Sequence, residues 1–138
     1  MALNGLINKC GETDVNDYSP LVLAFIGDTV FELMVRETLL ANVSINTLHN
    51  NVKSLVMARA QSHMVEKILP LLTEEETLAY KRGRNATSHT SPKNTDIADY
   101  RRATGLEALF GYLYLKGETE RMNELFKICV GDENIYVK

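Results

Sequence analysis

The chain has 138 residues, of which 45% are apolar and 24% charged, and its formal net charge is −3. This length and composition fit one globular domain over residues 1–138, with a core at about 19–130. Net acidity alone argues against a nucleic-acid binder. The sequence predicts no signal peptide, and its apolar runs fall short of the ~20 residues of a membrane span. Two isolated cysteines, Cys10 and Cys129, indicate a cytoplasmic protein with reduced thiols, a disulfide between them being the alternative.

The first predicted helix begins after Ser19 and runs to about Leu40. Serine can cap a helix, and the proline at position 20 is tolerated in its first turn. The segment is apolar on almost every side as far as Val35, which predicts burial on more than one face. Glu32 and Arg36 are four residues apart and predict a surface ion pair.

Five further helices are predicted downstream. Ser44 caps one over about 45–51, and another follows over about 52–69. Thr73 and Glu76 form a capping box for a helix that ends near Arg84. After a polar loop over 85–94, Thr95 caps a helix over about 96–116, and the last helix covers about 119–130. No segment alternates strictly between apolar and polar residues, so the fold class is all-α.

Two carboxylates stand alone in apolar helical segments. Asp28 follows Gly27 in the run LVLAFIGDTVFEL, and Glu107 is the one charge in ATGLEALFGYLYL at 103–115. A lone buried carboxylate is costly unless a cation or hydrogen bonds hold it. If the helices cross at their small residues, both acids can share Mg²⁺ or Mn²⁺, which prefer oxygen ligands. The alternative is that each acid is hydrogen-bonded to neighbouring side chains or helix ends.

Basic residues are concentrated at 81–102. This stretch has six basic and two acidic side chains, a local charge of +4, so the rest of the chain carries −7. Such an asymmetry is typical of a surface that binds a polyanion, although a solvated loop between charged helix ends is an equal alternative. The candidate residues are Lys81, Arg82, Arg84, Lys93, Arg101 and Arg102.

The two acidic segments resemble the ribonuclease III family. LAFIGDTVFEL resembles the family signature, roughly LEFLGDAVL, and ATGLEALFGYLYL resembles its second acidic segment, roughly ADAFEALIGAIYL. The stretch from Arg82 to Leu113, and the lack of a following double-stranded-RNA-binding domain, are similar to the short bacterial branch, Mini-ribonuclease III. The resemblance covers about residues 21–115 and implies a helical, homodimeric endonuclease domain.

The resemblance carries over residue by residue to few positions. It implies that Asp28 and Glu107 are catalytic metal ligands. Two further acids of the full-length enzymes are replaced here by Ala24 and Thr104. Mini-ribonuclease III resembles this chain in having fewer acids at its site. Thr104 and Glu32 therefore become candidates for an outer shell around the metal.

The implied activity is Mg²⁺-dependent cleavage of double-stranded RNA in the maturation of precursor ribosomal RNA of the large subunit. The basic residues of 81–102 would then bind phosphates, and a ribosomal protein is a further candidate partner. Two alternatives stay open at this point. One is a catalytically silent member of the fold that binds RNA or ribosomal protein, and the other is a helical interaction module in which Asp28 and Glu107 lie far apart.

Overall fold

The computed structural model describes residues 14–86 and 92–131. The all-α prediction is confirmed, with six α-helices and no strand in these two ranges. None of these helices is long and apolar enough to cross a membrane. Cys10 and residues 87–91, half of the polar loop, lie outside the described residues. The helices are α1 Pro20–Leu39, α2 Ile45–Val56, α3 Ala58–Ile68, α4 Glu74–Ala86, α5 Ile97–Leu115 and α6 Thr119–Val130, with short 3-10 turns at Val15–Asp17 and Leu69–Leu71.

Three of the predicted helix starts have the expected local hydrogen bonds. The Ser19 hydroxyl accepts from the Val22 amide at 3.2 Å, and the Ser44 hydroxyl accepts from the Thr47 amide at 3.1 Å. At the capping box, the Glu76 amide donates to the Thr73 hydroxyl and the Thr73 amide donates to the Glu76 carboxylate. These caps are local, so the sequence alone was enough to place them.

Two predicted boundaries are wrong. The break between α2 and α3 lies at Met57, whose backbone is extended, and not near position 51. No proline or glycine marks it, so the sequence gives no local signal there. The helix α5 is capped by Asp96 and not by Thr95, because the Asp96 carboxylate accepts from the amides of Ala98 and Asp99 at 2.7 and 3.3 Å.

Helix α5 lies at the centre of the fold and packs against α1, α3, α4 and α6. Its middle is buried on nearly all sides, with Leu106, Leu109 and Phe110 fully inaccessible. The Phe31 ring of α1 meets Phe110 edge-on at 5.2 Å and also contacts Phe126 of α6. The central position of α5 explains why that segment carries only one charge between positions 103 and 115.

The crossing of α1 and α5 is built on two glycines. A Cβ atom on Gly27 would overlap the main-chain carbonyl oxygen of Glu107, and a Cβ atom on Gly111 would overlap that of Leu23. Residues 23 and 27 are one helical turn apart, as are 107 and 111, so the two helices cross in opposite directions. Because neither glycine has a side chain, the backbones touch. The contact sets the Glu107 backbone directly beside the residue that precedes Asp28.

Candidate active site

The structure brings Asp28 and Glu107 together. Asp28 is exposed on α1, Glu107 is partly buried on α5, and their carboxyl groups are hydrogen-bonded to each other. Burial raises the pKa of Glu107 to about 8, and the charge and hydrogen bond of Asp28 act in the same direction. Two carboxyl groups this close cannot both hold a negative charge cheaply, so they either share a proton or bind a cation.

A third side chain, Gln61 of α3, reaches the same carboxylate. It donates a hydrogen bond to Glu107, which partly offsets the rise in the pKa of that group. Gln61 is only 2% exposed, so its amide is held inside the protein next to the acid pair. The cluster therefore joins α1, α3 and α5.

The donor set of this cluster fits Mg²⁺ or Mn²⁺. Both carboxylates supply oxygen ligands, and the side chains that contact Glu107 in the described ranges are Asp28 and the neutral Gln61. In the described ranges, no three or more histidine, cysteine, aspartate or glutamate side chains form a group that could hold a metal. A site with two acids suits an ion that keeps several water ligands and takes others from a phosphate substrate.

The other predicted residues near the acids have local partners. The Thr104 hydroxyl donates to the Tyr100 carbonyl oxygen of its own helix at 3.0 Å. The Glu32 carboxylate accepts two hydrogen bonds from Arg36, at 2.7 and 2.9 Å, which is the predicted surface pair. Ala24 is buried one turn before Asp28 and supplies no ligand. Within the described residues, the acidic centre is thus the Asp28–Glu107 pair.

Basic residues from α4 and α5 meet around Tyr80. The Arg84 guanidinium lies 5.7 Å from the centre of the Tyr80 ring, and its Nε donates to Asn85. Burial raises the pKa of Tyr80, whereas the charges of Arg84 and Arg102 act the other way. Arg102 also donates to the Ser62 hydroxyl at 3.3 Å. Since Ser62 follows Gln61 in α3, this basic group lies near the acid pair.

The remaining predicted basic residues lie at or near the surface of the same two helices. Lys81 and Arg82 are exposed on α4, Arg101 is partly buried on α5, and Lys93 is exposed just before α5. Residues 87–91 of the segment between these helices lie outside the described ranges. All six basic residues therefore belong to α4, α5 or the segment that joins them.

Gln61 is the site residue that the sequence analysis missed. Its signal was present in the pattern of α3, because position 61 shares a helical face with Met64, Val65 and Ile68, all of which are buried. A polar residue at a core position of an amphipathic helix needs a buried partner. The pattern could not have named that partner, because Glu107 is 46 residues further along the chain.

The contact between the acids also decides against one alternative reading. An interaction module with incidental acids predicts that Asp28 and Glu107 lie far apart, and instead they are hydrogen-bonded.

The predicted reduced thiol Cys129 is a free and buried side chain, and burial raises its pKa to about 12. Its side chain lies on α6 in the hydrophobic core.

Comparison with known proteins places this geometry in a family. Residues 21–118 match the model of the ribonuclease III domain. A Mini-ribonuclease 3 of Clostridium tetani is 44% identical over 89% of this chain and 82% of its own. The Mini-ribonuclease 3 of Brevibacillus brevis is 49% identical over 81% of this chain and 85% of its own.

A solved structure agrees with these relatives. The crystal structure of a protein from Fusobacterium nucleatum superposes with a TM-score of 0.79 at 37% identity, covering 86% of this chain and 98% of that one. The matched ribonuclease III model includes both Asp28 and Glu107, and the curated relatives are named for the short branch of that family. The chain belongs to the ribonuclease III family, in its Mini-ribonuclease 3 group, and is an endoribonuclease.

Proposed function

We propose that this endoribonuclease cleaves double-stranded RNA in a reaction that requires Mg²⁺, or Mn²⁺ in its place, and that it matures precursor ribosomal RNA of the large subunit. The observation that carries the proposal is the contact between the Asp28 and Glu107 carboxyl groups at the α1–α5 crossing. A ribosomal precursor as substrate would place the enzyme in the bacterial cytoplasm and beside ribosomal proteins, which are candidate partners.

Asp28 and Glu107 are the residues that would hold the metal. The chemistry that a bound Mg²⁺ supplies is activation of a water molecule and stabilisation of the leaving oxygen of a phosphodiester. The glycine contact fixes the backbone at both acids, so their separation is set by rigid helices and not by a loop. We expect products with 5′-phosphate and 3′-hydroxyl ends.

The basic group on α4 and α5 would bind the RNA backbone. Arg84 and Arg102 both lie near Tyr80, and Lys81, Arg82, Lys93 and Arg101 belong to the same two helices and the segment between them. A-form RNA is read mainly through backbone shape and 2′-hydroxyl groups. We therefore expect contacts to phosphates on both strands and a modest preference for sequence.

We also propose that the enzyme is a homodimer that pairs through α1. The exposed side of this helix carries four large apolar residues, Leu21, Val22, Phe25 and Leu33, and Phe25 is 80% exposed. The Glu32–Arg36 ion pair lies among them on the same side. At 100° per residue, Asp28 lies at the edge of this apolar face. A second copy would cover the face and set one acid pair on each side of the interface.

Sedimentation of a Phe25→Ser variant tests the dimer. Loss of the central aromatic residue should convert a dimer at micromolar concentration into monomers. Leu40→Ser is the matched control, because Leu40 is 75% exposed but lies beyond the end of α1. A wild-type protein that sediments as a stable, active monomer would reject the proposal.

The function itself is tested with a long RNA duplex incubated with and without Mg²⁺. We expect double-strand cleavage with Mg²⁺, none with chelator, and no cleavage of a single strand of the same sequence. Precursor and mature large-subunit ribosomal RNA then serve as paired substrates for the finer proposal. Duplex cleavage that is equally fast in chelator would overturn the metal requirement, and equal resistance of both ribosomal substrates would overturn the precursor assignment.

A further inference from the structure

The buried face of α3 contains two polar side chains in succession. Gln61 and Ser62 are each 2% exposed, whereas the other buried residues of this helix, Met64, Val65 and Ile68, are apolar. Burying an amide or a hydroxyl costs free energy unless it is hydrogen-bonded. Both find a partner on α5, because Gln61 donates to Glu107 and Ser62 accepts from Arg102.

The partner of Gln61 is the carboxylate that would hold the metal. We propose that Gln61 is a positioning residue for RNA cleavage, whose buried amide holds the Glu107 carboxylate in the orientation that faces Asp28. This inference rests on the proposed metal-dependent function. Gln61 is packed inside the protein and can adopt few rotamers, so its N–H group is a fixed donor.

The type of donor matters as much as its position. An amide is neutral, so it can orient one carboxylate oxygen without neutralising the charge that attracts a cation. A guanidinium at this position would pair with Glu107 and compete with the metal, as Arg121 pairs with Glu76 elsewhere in the fold. Residues that hydrogen-bond to metal ligands typically change metal affinity or activity by about 10–100-fold when they are replaced.

Binding of Mn²⁺ to the metal-free protein tests the proposal without relying on activity. Gln61→Leu and Gln61→Met replace the amide with an apolar side chain of similar size and so remove the donor. We expect each variant to bind Mn²⁺ at least about tenfold more weakly, measured as free Mn²⁺ by electron paramagnetic resonance. The Mg²⁺ concentration for half-maximal duplex cleavage should rise by a similar factor.

Val65→Ala is the matched control on the same helix. Val65 is 1% exposed, lies one turn after Gln61 and has no polar atom, so its truncation should lower stability and leave Mn²⁺ affinity unchanged. Wild-type Mn²⁺ affinity in both folded Gln61 variants would overturn the proposal. Failure of both to fold would overturn it as well, since Gln61 would then be a structural residue.

A further variant separates this inference from the proposed function. Asp28→Asn should abolish specific Mn²⁺ binding if the acid pair is the metal site. If it does so while both Gln61 variants bind Mn²⁺ as wild type, only the role of Gln61 is rejected. If Asp28→Asn also leaves Mn²⁺ binding unchanged, the proposed metal site itself is rejected, and the role of Gln61 with it.

Discussion

The glutamates Glu76 and Glu107 are both withdrawn from water, and the protein surrounds them in opposite ways. Glu76 is 4% exposed and accepts two hydrogen bonds of 2.8 Å from Arg121, together with one of 2.9 Å from the Thr73 amide. The Arg121 hydrogen bonds hold the pKa of Glu76 below its usual range despite burial. Glu107 faces a second acid and a neutral amide, and its pKa rises to about 8.

The difference separates a structural acid, Glu76, from the proposed metal ligand, Glu107. Arg121 also donates to the Leu71 carbonyl, so the Glu76 pair ties the start of α4 to α6 and to the turn before α4. In the part of the chain that the structure describes, the side-chain partners of Glu107 are Asp28 and Gln61 and include no cation, although Arg84 and Arg102 lie around Tyr80. An acid pair that the protein leaves unneutralised retains its affinity for an external cation.

The largest effect should come from neutralising either member of the acid pair. We expect Asp28→Asn and Glu107→Gln each to reduce duplex cleavage by at least about 10³-fold, equivalent to about 4 kcal/mol of barrier, because a metal-binding charge is lost and shape is kept. Duplex affinity in Ca²⁺ and the far-ultraviolet circular dichroism spectrum should stay close to wild type. Cleavage near the wild-type rate by either variant would reject the site.

Replacing Glu76 with glutamine should lower the stability of the fold and leave cleavage unaffected. Glu76→Gln removes the buried acid of Arg121 and leaves it only the exposed Glu124. It should lower the free energy of unfolding by about 2–3 kcal/mol, somewhat less than for a fully buried pair, because Arg121 keeps access to water. Urea unfolding measures the change, and cleavage per folded molecule should be unaltered. Glu75→Gln is the exposed neighbouring control, with an expected change within about 0.5 kcal/mol.

Unfolding measured at a series of pH values should show over which range the Glu76–Arg121 pair stabilises the fold. Its folded pKa is lowered, so its contribution is complete above the unfolded value and is lost as pH falls through the folded pKa. We expect the stability difference between wild type and Glu76→Gln to be constant from pH 7 to about 5 and to shrink below about 4.5. Because both proteins contain Glu107, its titration cancels in the difference. A difference that grows on acidification would contradict the assignment.

The smallest effect is expected in RNA affinity, when basic residues of α4 are replaced. If Arg82 and Arg84 bind phosphates, replacing both with alanine should flatten the dependence of log affinity on log salt by about 0.9 per lost contact, by analogy with B-DNA. Cleavage at saturating RNA should survive, because the acid pair is untouched. Lys127→Ala, an exposed lysine of α6, is the control. An unchanged slope would mean that RNA is bound elsewhere on the protein.

The sequence by itself determined the helical class, most helix ends and the two acids. Caps such as Ser19, Ser44 and the Thr73–Glu76 box act within three residues, so their hydrogen bonds can be read from local order. The acids were recognisable because each interrupts an apolar segment, and their surroundings resemble a known family. The break at Met57 escaped prediction because no residue type there forces it.

Only the tertiary structure decided which distant groups meet. The partner of Glu76 is Arg121, 45 residues away, and the Gln61 amide finds Glu107 at a similar separation. Both contacts depend on how α3, α4 and α6 pack around α5, and pairing preferences within a helix carry no information about that packing. The sequence predicted only that Glu76 and Glu107 are acids within helices, and it did not predict their partners. The fold placed a guanidinium beside Glu76, whereas it buried Glu107 and set a second carboxylate beside it. Burial, together with the second carboxylate, raises the pKa of Glu107, and the guanidinium lowers the pKa of Glu76.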